Sequence, residues 1–130
     1  MRYLNLFEKI TRVSTRFCFN YNEAIFFSVP RKLVSKAVGR NGKNVKQISQ
    51  ILGKRVKIVF IPQGIEDVKE FIQLIVSPFT FKEVETKDDE VVLTPGSQSK
   101  AALIGRNKRR LLEMKKIIQD FFKRDFRIVW

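Results

Sequence analysis

Gly39-Arg40-Asn41-Gly42-Lys43 lies between two segments of helical pattern and sets two glycines around two polar residues. A shortened form, Gly105-Arg106-Asn107-Lys108-Arg109, follows sixty-six positions later. A glycine turn that feeds a helix presents backbone N–H groups and the positive end of the helix dipole, which suits an anion such as phosphate. The flanking charge agrees. Residues 31–57 hold nine Lys or Arg and no Asp or Glu, and residues 98–116 hold seven basic residues against Glu113 alone. The intervening 58–97 carries three basic and eight acidic residues. Each acid-poor block is centred on one glycine turn, which a merely solvated helix face does not require.

The whole chain repeats this bias. Its 130 residues carry 26 Lys and Arg against 13 Asp and Glu, a net charge of +13. With 44% hydrophobic residues it has the composition of a globular chain with a packed core. An excess of that size points to a polyanion, either nucleic acid or an anionic membrane surface. There is one cysteine and no histidine, so neither an internal disulfide nor a Cys/His zinc cluster can form. The expected setting is reducing and cytoplasmic. Glu8 and Lys9 interrupt the first apolar residues before they amount to a signal core, and no apolar run approaches the length of a membrane span.

Working outward from the first glycine turn, Val45, Ile48, Ile51 and Leu52 form the apolar stripe of a following helix, with Lys43, Lys46, Gln47 and Gln50 on its other face. Gly53 closes it and 56–61 reads as a strand. Before the turn, Pro30 opens a short helix that ends at Gly39. Residues 13–19 and 24–29 read as a hairpin turning at Asn20-Tyr21-Asn22, preceded by a helix over 3–9. The same order then recurs. A helix runs over Ile65, Val68, Phe71, Ile72 and Ile75, and strands span 79–86 and 91–94 around an acidic turn. Pro95-Gly96 opens a short helix, Gly105 begins the second turn, and Leu111, Met114, Ile118 and Phe121 mark a longer helix before a strand over 126–130. Residues match too. Ser35 to Asn41 parallels Ser99 to Asn107 with two residues inserted, and Lys54 to Val59 parallels Lys123 to Val129 with one inserted. Two copies of one small fold follow, with the boundary at 62/63.

An αββααβ unit with Gly-x-x-Gly between its adjacent helices resembles the type II KH domain. Two in tandem, over essentially the whole chain, are similar to the short archaeal NusA-like proteins, the KH part of a transcription termination/antitermination factor. The resemblance implies an α+β fold of two KH domains, 1–62 and 63–130, each a small three-stranded sheet covered by helices. It also implies a single-stranded RNA partner, clamped over about four nucleotides with the bases toward the sheet. Carried onto this chain, the first clamp is Gly39, Arg40, Asn41 and Gly42 with Lys36, Lys43 and Lys46. Here Gly39 would take a left-handed helix-ending conformation, and Gly42 would clear a path for phosphate. The second is Gly105, Arg106, Asn107, Lys108, Arg109 and Arg110 with Lys100, and it departs from the pattern because Lys108 stands in place of glycine.

Enzymatic chemistry is not expected. No histidine is present, no Ser, Cys or Lys has an evident activating partner, and the glycine turn lacks the spacing and hydroxyl of a P-loop. No cofactor or metal is implied, since Asp88-Asp89-Glu90 reads as a solvated hairpin tip. RNA polymerase is a further partner that the resemblance implies, and the expected state is a monomer. Rival readings are a KH protein of rRNA binding or ribosome assembly, and a basic adaptor docking on RNA polymerase. A membrane role is disfavoured because the basic helices are short and lack an exposed apolar face. Phe17, Phe19, Phe26, Phe27, Phe79 and Phe81 are read mostly as core, Cys18 as a small buried hydrophobe, and Tyr21 as the exposed aromatic. Trp130 has two readings, packing on a sheet or meeting a partner.

Overall fold

The computed structural model describes residues 2–129. Trp130, and the reading of it, lies outside them. The chain divides into two compact units, 1–61 and 62–130. In the first, α1 (Arg2–Thr11) precedes β1 (Phe17–Tyr21), β2 (Ala24–Val29), α2 (Val34–Val38), α3 (Lys43–Leu52) and β3 (Arg55–Phe60). In the second, α4 (Val68–Val76) precedes β4 (Phe81–Lys87), β5 (Glu90–Pro95), α5 (Lys100–Ile104), α6 (Arg109–Phe122) and β6 (Asp125–Ile128). Each unit holds one three-stranded sheet with its middle strand antiparallel to the first and parallel to the third. The class is α+β. Among the described residues no helix is long and apolar enough to cross a membrane.

The hairpins differ from the sequence expectation for a local reason. α1 runs to Thr11, whose hydroxyl donates to the Phe7 carbonyl and accepts from Val13 N–H, and Arg12 turns the chain at φ +63°. Val13 therefore enters the core from a loop, and the first strand starts at Phe17 rather than at 13. The reversal is a two-residue turn at Asn22 and Glu23, both with positive φ, the geometry that matches strand twist. This draws Asn20 and Tyr21 into the ladder, with Tyr21 opposite Ala24. The expectation that Tyr21 is exposed is thus overturned, since it is only 2% accessible while Tyr3 is 38% accessible. Asp88 and Asp89 form the matching exposed turn of the second unit. Similarly, Pro95 does not open a helix but ends β5 opposite Phe81. The turn that Pro30 makes with Leu33 is made instead by Gly96 with Ser99.

Side-chain alternation decides which residues of each sheet meet the helices, although all of β2 is buried. In the first unit Ile25, Phe27, Val29 and Val56 pack with Phe7, Ala37 and Ile48 from the three helices, and the Phe7 and Phe27 rings stack at 4.3 Å. Val45 and Leu52 pack against this core, whereas Ile51 is 56% exposed, so the expected stripe of α3 is narrower by one residue. In the second unit Phe71 of α4 meets Phe121 and Phe122 of α6. Of the phenylalanines read as core, Phe26 and Phe27 are fully buried, and Phe17, Phe19, Phe79 and Phe81 are half-buried.

The structural repeat is more regular than the matching of residues suggested. From β4 to the start of α6 every element lies close to sixty-six positions after its counterpart, with no insertion in the short helix. The two copies diverge in length inside the next helix, where α6 has 14 residues and α3 has 10. Four residues are close to one full turn, so the following strand returns in the same orientation. Arg55 then lies opposite Ala24, and Asp125 opposite Glu90. Both inferred insertions are therefore corrected: the extra residues form a single helical turn.

Phe27→Ala is expected to cost about 3–5 kcal/mol in urea unfolding, because its ring is fully buried against Phe7. Burial also pushes the Cys18 thiol from 9.0 up to about 11. A thiol that keeps its proton longer when folded supports stability below pH 9.0 and withdraws that support as pH rises toward 11. Native Cys18 is expected to alkylate slowly at neutral pH and rapidly once the protein is unfolded, measured by mass spectrometry.

Candidate nucleic-acid interface

Gly39 and Gly105 set the geometry of the two loops. Gly39 has φ 83° and ψ 165°, and Gly105 has φ 78° and ψ 170°. This is not the left-handed helix ending expected of Gly39 but a region that is essentially glycine-only. Space forbids a side chain as well. A Cβ on Gly39 would lie 2.9 Å from Asn44 Cγ, and one on Gly105 would lie 3.0 Å from the Arg110 backbone nitrogen. Each glycine opens a tight four-residue turn whose last two residues are left-handed. These are Asn41 (φ 54°, ψ 29°) and Gly42 (φ 73°, ψ 20°) in the first loop. In the second they are Asn107 (φ 55°, ψ 29°) and Lys108 (φ 60°, ψ 23°). Asparagine tolerates that conformation, and lysine bears a strain of about 1 kcal/mol or more. Lys108 thus keeps the loop shape that glycine has in the first copy.

The loops are tied to the preceding helices by unlike residues at equivalent positions. Asn44 donates from Nδ2 to the Lys36 carbonyl at 3.3 Å, and Arg110 donates from Nη1 to the Ala102 carbonyl at 2.7 Å. Arg110 also lies over the Phe79 ring, 5.2 Å from its centroid. It is half-buried and holds the loop in place. No side chain caps α3 or α6, and neither has an acid in its first turn, so both N-termini are electropositive.

Around the first loop the structure brings the named residues together. Arg40, Asn41, Lys43 and Lys46 are exposed, Lys43 and Lys46 share a helix face, and Lys36 lies one turn before the loop. Among the described residues none of these four cationic side chains makes an ion pair. The second loop is less open. Arg106, Asn107 and Lys108 are exposed, but Arg109 leans toward Glu113 at 3.9 Å. Lys100 begins α5 and is half-buried, and the position equivalent to Lys36 is Ala102. Lys100 is therefore not the counterpart that the matching of residues made it.

Sequence pattern alone also missed a groove in the second unit. It has a volume of about 670 Å³ and runs between α6 and the edge strand β6. Ile104, Leu111, Phe126 and Ile128 give it an apolar floor, and Lys115, Lys116, Gln119, Asp125 and the Arg127–Glu90 ion pair (3.0 Å) line the rest. The four-residue spacing of Leu111, Lys115 and Gln119 was the one local signal, since such residues stack on one helix face. A second, shallower hollow beside the loop is lined by Arg106, Asn107, Arg109, Leu112, Glu113 and Lys116, with Leu112 57% exposed.

No family model matches the chain. It is similar to two curated proteins, each named "Probable transcription termination protein NusA", from Methanococcus vannielii and Methanocaldococcus jannaschii. They are 31% and 32% identical over 84 residues, which is 65% of this chain and 47% and 44% of theirs. The match thus spans less than half of each relative. The solved structure of APE1850 superposes with a TM-score of 0.67 at 21% identity, covering 99% of this chain and 96% of that one. That likeness concerns the fold alone.

Lys108→Gly is expected to stabilise the protein by about 1 kcal/mol, since it relieves a left-handed lysine. Gly39→Ala is expected to destabilise it, by about 1–3 kcal/mol, because both backbone and space oppose the methyl. Chemical denaturation of the two variants measures both.

Proposed function

We propose that the chain is a single-stranded RNA-binding protein of the NusA-like kind, made of two type II KH domains and acting in transcription termination or antitermination. The observation that carries this reading is the repeated loop itself. In both units a glycine with positive φ leads through two left-handed residues into an uncapped helix N-terminus. In the first unit unpaired cations surround that N-terminus. A phosphate group fits such a corner on three counts: backbone N–H donors, the helix dipole, and guanidinium or ammonium groups at hydrogen-bonding reach. The backbone of one strand would pass the loop, and in the second unit its bases would lie in the groove between α6 and β6. The first loop is the stronger clamp in this reading, because the second spends Arg110 on its own structure and Arg109 beside Glu113. The role in transcription rests on the names of the two similar proteins.

Replacing Arg40 and Asn41 together by Asp tests the clamp. Both side chains are exposed, so the unfolding midpoint is expected to stay unchanged. Affinity for single-stranded RNA is expected to fall roughly a hundredfold in a fluorescence titration. With roughly six phosphates neutralised, the wild-type log–log salt slope is expected at about −4, and the variant's is shallower by about 1. Unaltered affinity in the variant would refute the first loop as the grip.

A further inference from the structure

We propose that the hollow beside the second loop docks an acidic segment of a partner protein, seating one apolar side chain against Leu112 while Arg106, Arg109 and Lys116 meet its carboxylates. The proposal goes beyond the RNA reading above and does not depend on it.

The two loops share their torsions but not their chemistry at this place. α3 begins at Lys43 and α6 at Arg109, so Leu112 stands where the first copy has Lys46, and Glu113 where it has Gln47. In the first copy Lys46 bends back over Gly42, its Cε 4.0 Å from where a Cβ on that glycine would stand. A cation over bare backbone suits phosphate. In the second copy the loop residue is Lys108, which is not bare, and the helix residue is a leucine 57% exposed. The hollow at Leu112 has a volume of about 550 Å³ and opens between Arg106 and Asn107 of the loop and Arg109, Glu113 and Lys116 of the helix. It lies on another side of α6 from the groove, which takes Leu111, Lys115 and Gln119. Lys116 alone lines both.

A single exposed leucine is ordinary on a protein surface. This one replaces a cation, faces a hollow and has three further cations around it, with the uncapped N-terminus of α6 at the same end. Long basic side chains can wall an apolar seat with their methylene stems and keep their charged ends in water. Phosphate gains nothing from Leu112 and is repelled by the Glu113 carboxylate, which lies 3.9 Å from Arg109. A protein segment can bring an apolar side chain and carboxylates together. An apolar centre with arginine beside it is also the usual make-up of a protein interface core, where phosphate sites are uniformly cationic. Three cations against one acid make the charge of the hollow complementary to an acidic partner.

The test titrates the full chain with a panel of short labelled peptides, each a run of Asp and Glu around one Leu, Phe or Trp, and with the same run around Ser. Fluorescence anisotropy at physiological salt is the readout. At least one apolar peptide is expected to bind about tenfold more tightly than the Ser peptide. Leu112→Ser is expected to remove that advantage and to leave the unfolding midpoint in place, because Leu112 is largely exposed. Equal affinity across the panel overturns the proposal, and so does an advantage that survives Leu112→Ser. RNA as the occupant is tested in the chain carrying Arg40→Asp and Asn41→Asp, which silences the first loop. There Leu112→Ser is expected to leave affinity for oligouridylate unchanged. A several-fold loss would assign the hollow to RNA and overturn the docking of a protein.

Discussion

A glycine pressed against the first turn of the next helix is the constraint on which both loops depend. At φ 83° and ψ 165°, Gly39 reverses the chain so sharply that Asn44 comes within bonding range of the Lys36 carbonyl. Gly105 does the same with Arg110 and Ala102. That closure aims a bare helix N-terminus outward. It also spaces the short helix and the long one so that their apolar sides reach the same sheet. A side chain at either glycine would have to open this contact before it touched any ligand.

The repeat shows how such a device is kept while its surroundings change. Loop torsions in the two copies agree closely, although glycine is exchanged for lysine and asparagine for arginine at the tie. The hairpin tips are braced alike, by Arg55 on Asn22 from the first position of β3 and by Arg124 on Asp88 from the residue just before β6. Length is added as one whole helical turn, the increment that leaves the facing strand in register. Backbone geometry is thus held, and the chemistry around it is free to vary. This is why two similar corners carry different numbers of unpaired cations.

Charge is distributed differently in the two units. The first unit's basic block has no acid, so its exposed lysines and arginine have no acidic neighbour within that stretch of sequence. The second mixes signs, with Glu113 beside Arg109 and Glu90 on Arg127.

The amino-acid sequence by itself determined the element order, the duplication, the α+β class and the first loop. These follow from local properties: apolar period, glycine at helix ends, and the clustering of charge along the chain. Only the tertiary structure decided which side chains are free to act. Arg110 was read among the second loop's binding residues and Lys100 as the counterpart of Lys36, yet one is folded onto a carbonyl and the other begins a helix away from the loop. Tyr21 looked like a turn residue until the register drew it into a strand. The groove between α6 and β6 was invisible because its two walls are consecutive elements whose spacing is set by how the helix packs on the sheet, which no local period encodes.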